Sequence, residues 1–193
     1  MEKHGQLEVE VKVPVREPGR IKQVILEAGG KLVRERHFES NFLYDYSDRS
    51  LSASGCLLRI RELPEGALLT FKGKVIPHDK YKARPEAETI CQDVAAIRSI
   101  LHSLGFRPFF RYQKYREEHL LSETHVCIDE LPFGFYLEIE GEPDGINETV
   151  ERLGLDKDSF SRRSYASLYA EICREQGVPF GDILFKTENG TKG

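Results

Sequence analysis

The sequence predicts an α+β protein built on an eight-stranded antiparallel β-barrel, closed or nearly closed, with helices packed outside it. Three observations carry this expectation. Eight runs alternate apolar and polar residues with a period of two, the spacing that sends successive side chains to opposite faces of a strand. Helical spacing of apolar residues is confined to three stretches and a weaker fourth. The polar faces of the strands are almost wholly charged, whereas an ordinary solvent face mixes charges with neutral polar residues, so one face of the sheet is read as a wet lumen.

The first strand, Leu7–Val13, sets Leu7, Val9, Val11 and Val13 against Glu8, Glu10 and Lys12. Pro18 opens a helix with Ile21, Val24, Ile25 and Ala28 on one face, and Gly29-Gly30 closes it, since proline suits a first helical turn and glycine a C-terminus. Strands follow at Phe42–Tyr46, Leu57–Glu62, Ala67–Lys74 and Ala83–Thr89, with Pro64-Glu65-Gly66 as a turn. Asp93 and Gly105 bracket a second helix, in which Val94, Ile97, Ile100, Leu101 and Leu104 recur at helical spacing. Three further strands, Phe109–Glu117, Thr124–Asp129 and Phe135–Gly141, precede a weak helical pattern over Asn147–Leu153 and a clear one from Ser164 to Gln176. No linker divides the chain. Residues 1–185 are expected to form one domain, and the polar residues 186–193 a disordered tail.

With 193 residues, 39% hydrophobic and 31% charged, the chain has enough apolar side chains for an ordinary core. Its 28 Lys and Arg against 32 Asp and Glu give a net charge of -4, which offers no broad basic field to nucleic acid or to an anionic membrane. No apolar stretch reaches the roughly 18 residues of a membrane-spanning helix. The start, Met-Glu-Lys-His-Gly-Gln, lacks the apolar centre of a secretion signal. Cys56, Cys91, Cys127 and Cys173 lie far apart with no Cys-x-x-Cys pair, so they are expected as reduced thiols of a cytoplasmic protein.

The charged faces can be listed strand by strand. Arg59 and Arg61 share a face, as do Thr70, Lys72 and Lys74; Arg84, Glu86 and Glu88; Lys114 and Arg116; His125, Cys127 and Asp129; and Glu138 and Glu140. Facing one lumen, Lys12, Arg59, Arg61, Lys72, Lys114, Arg116 and Arg84 are too many cations for one carboxylate ligand and suit a polyphosphate, whose oxygens arginine binds in pairs. Glu8, Glu10, Asp129, Glu138 and Glu140 would repel that anion unless a divalent cation bridged them, and hard oxygen ligands completed by phosphate suit Mg2+ or Mn2+. Phe109, Phe110 and Tyr112 are expected to pack rather than to stack on a base, and no spacing marks an adenine pocket. The segment His78 to Lys82 reads as a solvated loop beside the lumen.

This order of motifs resembles the CYTH superfamily of triphosphate tunnel metalloenzymes, which includes class IV adenylyl cyclases, thiamine triphosphatases and inorganic triphosphatases. The resemblance begins with Glu8-Val9-Glu10-Val11-Lys12 and continues through Leu58-Arg59-Ile60-Arg61, Thr70-Phe71-Lys72-Gly73 and Arg84-x-Glu86-x-Glu88. It runs on through Lys114-Tyr115-Arg116, Ile128-Asp129-Glu130, Glu138-Ile139-Glu140 and Ser164-Tyr165, and so spans nearly the whole chain. It implies that Glu8, Glu10, Glu138 and Glu140 hold the metal, with Asp129 as a further carboxylate. It also implies that Lys12, Arg59, Arg61, Lys72, Lys114 and Arg116 grip a triphosphate, while Arg84, Glu86 and Glu88 fill a less uniform motif. Leu43-Tyr44-Asp45 and Pro132-Phe133-Gly134-Phe135 depart from patterns common in the family.

The expected function is therefore a metal-dependent enzyme of the class IV adenylyl cyclase type, turning ATP into 3',5'-cyclic AMP and pyrophosphate. The same cage suits a triphosphatase acting on tripolyphosphate, thiamine triphosphate or nucleoside triphosphates, because positioning and charge neutralisation dominate phosphoryl transfer. Glu8, Glu10 and Glu88 are the carboxylates expected to accept a proton. A non-catalytic polyphosphate sensor is the third reading, and it has no need of the acidic residues.

Overall fold

Strand β1 (Gln6–Val15) carries Val9, Val11 and Val13 on one face and Glu8, Glu10 and Lys12 on the other, and which of these turns inward decides the architecture. In the structure, a computed structural model that describes residues 6–63, 66–78 and 80–186, the charged face is inside. Helix α1 (Pro18–Glu27) leads to β2 (Lys31–Asp45), the one-turn α2 (Ser50–Ala53), β3 (Leu57–Leu63), β4 (Gly66–Lys72) and β5 (Lys82–Cys91). Then come α3 (Val94–Ser103), β6 (Arg107–Leu121), β7 (Thr124–Leu131), β8 (Gly134–Glu140), α4 (Pro143–Arg152) and α5 (Tyr165–Gln176). The strands close into an antiparallel barrel in the order β1-β5-β4-β3-β2-β6-β7-β8. First and last strands meet: Glu10 lies opposite Glu140 and Lys12 opposite Glu138.

Apolar faces turned outward need cover, and the helices supply it. One cluster gathers Val9, Val11 and Val13 with Leu137 and Ile139, Ile25 from α1, and Ile146 and Val150 from α4. A second places Tyr44, Leu58 and Ile60 beneath Leu101 of α3. Each such aliphatic side chain contributes about 1.5–3 kcal/mol on full burial. The turn from α1 into β2 depends on Gly30, where a Cβ would meet the Ile25 backbone oxygen at 2.7 Å.

Strand β2 begins at Lys31 rather than at Phe42. Its pairing with β6 shifts register between Leu32 and Arg34, between Arg34 and His37, and between Leu43 and Tyr44. Each irregularity breaks the alternation by which a strand is recognised. Helix α4 starts at Pro143, ahead of the Asn147 expected, and β4 ends at Lys72: Gly73 still donates to the Pro85 carbonyl at 2.8 Å, but Pro85 has no N–H to return. The short α2 and a 3-10 turn at Lys157–Ser159 are too brief to show periodicity.

After α5, Gly177 takes a φ of 66° and the Val178 N–H donates to the Cys173 carbonyl at 2.9 Å, which ends the helix and returns the chain toward β6. Residues 178–186 then form a strap along β6, where Ile183 makes a parallel bridge with Tyr112. The tail expected to be disordered falls mostly at 187–193, and Pro64 and Glu65 of the expected turn at 64–65; both lie outside the described residues. Among the described residues no helix is long and apolar enough to cross a membrane.

The outward core makes a stability prediction. Leu137 is 0% exposed on the outer face of β8, so Leu137→Ala should cost about 2–5 kcal/mol, measured as a lower urea midpoint with an unchanged slope. A change below about 0.5 kcal/mol would contradict this layering.

Candidate functional site

Alternation along the barrel strands points Glu8, Glu10, Lys12, Arg59, Arg61, Lys72, Lys114, Arg116, Glu138 and Glu140 into a single cavity of about 800 Å³. Arg84, Glu86 and Glu88 from β5 also line it. Of the site residues expected from the sequence, Asp129 alone is absent from the lining. Register puts opposite charges across from one another: Lys12 faces Glu138, Glu10 faces Lys82, Lys72 faces Glu86, and Arg116 faces Asp129.

The side chains bind accordingly. The Lys12 ammonium bridges Glu10 at 2.8 Å and Glu138 at 2.9 Å. Lys72 pairs with Glu8 and with Glu86, the latter at 3.0 Å. Arg59 donates to Thr70 Oγ1 at 3.1 Å, Glu88 at 3.4 Å and the Tyr112 hydroxyl at 3.3 Å. Arg61 reaches Asn41 Oδ1 at 3.1 Å and Glu39 at 3.2 Å. Burial opposes the charge of Glu10, but Lys12, Lys82 and Lys72 outweigh it and hold the carboxyl down to about 2. Glu138 lies well below the usual carboxylate range, because Lys12, Arg116 and Lys114 override the same burial.

Asp129 sits at the bottom of this network, 0% exposed. It accepts from Arg116 Nε at 2.7 Å, Arg116 Nη2 at 2.6 Å, Lys114 at 2.9 Å and the Tyr165 hydroxyl at 2.6 Å. Burial works against its charge, yet Arg116 and Lys114 keep its carboxyl below the usual range. Arg84 turns its guanidinium to main-chain carbonyls: Nε donates to Gly73 at 2.8 Å, and Nη2 to Lys72 at 3.1 Å and Gly55 at 3.2 Å. These contacts tie the end of β4 to the turn before β3.

Several members of the site escaped the sequence reading. Glu39 is buried beside Arg61 and Lys114, but it opens the polar run Glu39-Ser40-Asn41, where the apolar-polar alternation lapses although the pairing with β6 is regular from His37 to Leu43. Tyr165, named in the sequence as part of the Ser164-Tyr165 motif but given no role there, reaches the network from α5 through its hydroxyl, and Lys82 pairs with Glu10 at 2.5 Å from the start of β5. Lys82 was readable only as part of a loop. Phe110 and Tyr112 line the cavity, rather than merely packing.

Among the described residues no three His, Cys, Asp or Glu side chains are gathered at metal-holding distance, because lysines stand between the carboxylates. The donor set nonetheless fits a hard divalent cation. Glu8 Oε2 is buried without a hydrogen-bond partner. Burial, followed by the charges of Glu138 and Glu8, pushes Glu140 up to about 7. Burial does the same to Glu86, with Glu8 and Glu88 adding to it. A carboxyl raised in this way marks a place where negative charge exceeds the positive charge available.

The CYTH domain matches residues 6–165. A protein of Methanocaldococcus jannaschii named as a candidate adenylate cyclase is 28% identical over 174 residues, 84% of this chain and 98% of its own. A solved protein of Pyrococcus horikoshii is 30% identical over 86% of this chain and 99% of its own, with a TM-score of 0.69. A solved candidate adenylate cyclase of Vibrio parahaemolyticus covers the same 86% of this chain and 99% of its own at 23% identity and a TM-score of 0.74, which shows the fold.

The Asp129 contacts generate a test. Asp129→Asn keeps the shape but leaves Lys114 and Arg116 undercompensated, and should cost about 3–5 kcal/mol of stability. Because the carboxyl is held low, its contribution is present at neutral pH and disappears as pH falls through the acid range. A variant as stable as the unchanged chain at pH 7 would show that Asp129 is not the counter-ion of this pair.

Proposed function

The chain belongs to the CYTH family, whose members are typically enzymes acting on triphosphates, and from that premise we propose that it is a divalent-metal-dependent enzyme converting ATP to 3',5'-cyclic AMP and pyrophosphate. The observation that carries this reading is the single cavity into which β1, β3, β4, β5, β6 and β8 all turn charged side chains. Lys12, Arg59, Arg61, Lys72, Lys114 and Arg116 bind the phosphate oxygens, each arginine able to take two. Glu10, Glu138 and Glu140 hold Mg2+ or Mn2+. When bound, that ion neutralises charge developing on the phosphate oxygens.

Glu8 stands beside them as proton acceptor. Lys72 takes its Oε1 and leaves Oε2 buried without a partner, whereas both oxygens of Glu10 are held, by Lys12 and Lys82, and Glu88 is held by Thr70 and Arg59. As the ribose 3'-oxygen bonds to the α-phosphorus, its proton passes to Glu8 and the bond to pyrophosphate breaks. Asp129 serves as counter-ion to Lys114 and Arg116, and Arg84 fixes the wall. The name of the Methanocaldococcus jannaschii relative supports cyclisation. In the alternative reaction, hydrolysis, water takes the place of the 3'-hydroxyl and attacks the terminal phosphorus.

Product separation after incubation with ATP and Mg2+ tests the reading. Cyclic AMP with pyrophosphate is expected, ADP with phosphate would replace cyclisation by hydrolysis, and excess EDTA should abolish turnover. Glu140→Gln should lower turnover by at least about a hundredfold, the scale on which a lost electrostatic group acts. Since the Glu140 carboxyl sits near 7, its ionisation opposes folding as pH rises from the ordinary carboxylate range through 7, and the amide avoids that cost. The variant should melt no lower than the unchanged chain at pH 7.5. A stable variant with full turnover would remove Glu140 from the metal site.

A further inference from the structure

We infer that the C-terminal strap makes this site selective for organic triphosphates over inorganic tripolyphosphate, with Ile183 as the residue that positions the selective wall. The inference rests on the triphosphate reading above.

Its first ground is the cavity's size. At roughly 30 Å³ per heavy atom, the share a water takes in the liquid, tripolyphosphate fills about 400 Å³, which is half of the about 800 Å³ present. The second ground is that the lining is also mixed. Leu43, Leu57, Phe110, Tyr112 and Ala166 line the cavity alongside the charged set. Apolar and aromatic surface has nothing to offer a naked polyanion, and suits the ring of a phosphorylated organic molecule.

The third ground is what holds that wall. Strand β6 pairs with β7 only from Tyr115 onward, so the edge of its first half is left for another partner. The strap takes it. Ile183 N–H donates to the Arg111 carbonyl at 2.9 Å and the Gln113 N–H donates to the Ile183 carbonyl at 2.8 Å. Asp182 Oδ1 accepts from Arg111 N–H at 2.8 Å, and Gln113 Oε1 accepts from Phe185 N–H at 3.0 Å. Ile183, 1% exposed, forms one cluster with Leu43 and Phe110, on which Leu57, Tyr112 and Ala166 also pack. It supports these five lining residues without lining the cavity itself. Phe180 stacks on Phe110 with ring centres 5.4 Å apart and planes within 9°. The strap lies beyond residue 165, where the family match ends, so this wall is backed by a segment that the charged motifs do not include.

Calorimetric titration with ATP and with tripolyphosphate, each with Mg2+, tests the inference on the full chain and on Ile183→Ala. The unchanged chain should bind ATP more tightly than tripolyphosphate. The variant should lose about tenfold in ATP affinity, the scale of a shaved apolar contact in a pocket, while its tripolyphosphate affinity moves less than twofold. Retained tripolyphosphate binding also reports that the barrel is folded. Should Ile183→Ala fail to fold, Phe180→Ala carries the same expectation, since Phe180 is 51% exposed and its removal leaves the buried edge intact. Tripolyphosphate binding as tight as ATP, or equal losses for both ligands, or no loss for either, overturns strap selectivity and leaves the triphosphate reading standing. If the unchanged chain binds neither ligand, both fall.

Discussion

Closing eight strands around Lys12, Glu10, Glu138, Arg116 and Asp129 takes these charges out of bulk water, and each such ion costs several kcal/mol unless a partner lies within hydrogen-bond distance. The barrel meets this demand through register. Lys12 bridges a carboxylate on its own strand and one on β8, and Arg116 bridges β7 and β8 through Asp129 and Glu138. The ionic interior and the strand order are therefore one constraint. A slip of one residue in any strand would send its charges into the apolar layer under the helices and its valines into the lumen.

That balance is incomplete around Glu8, and our functional reading draws on this incompleteness. Around Glu8, Glu86 and Glu140 the carboxylates outnumber the lysines that reach them, which leaves one buried oxygen without a partner and two carboxyls near neutrality. At Asp129, by contrast, the pairing is saturated by four donors. The saturated part ties neighbouring strands together, and in the function proposed here the unsaturated part is the part that binds.

The sequence carried the barrel and most of its charged lining because both depend on a period of two, which β1, β3, β5 and β8 keep without interruption. It did not carry the first half of β2, where the pairing shifts register, nor Glu39, which is followed directly by the polar Ser40 and Asn41. Nor did alternation distinguish Asp129 from Glu138, or Arg84 from Arg59, since side chains of like charge in similar alternation differ mainly in what stands opposite them. Arg84 spends its donors on the carbonyls of Gly55, Lys72 and Gly73, and no local pattern announces that. The strap was invisible for another reason: its bond to β6 joins residues far apart in the chain, and a lone Ile-Leu-Phe run predicts no partner.

The meeting of β1 with β8 has a consequence for biosynthesis. Strand β1 leaves the ribosome first, and its partner on one side, β5, follows within the same half of the chain, but the edge that receives β8 must wait for residues 134–140. Until then a strand with Val9, Val11 and Val13 on one face and Glu10 and Lys12 on the other has an open row of main-chain groups, the kind of edge that pairs with other chains. The alternating charges guard this edge during the wait, as inward-pointing charges do on exposed strands. A strand that waits for its last partner thus carries along it the charges that line the finished cavity, and a neutral lumen would leave that waiting edge with uncharged side chains instead.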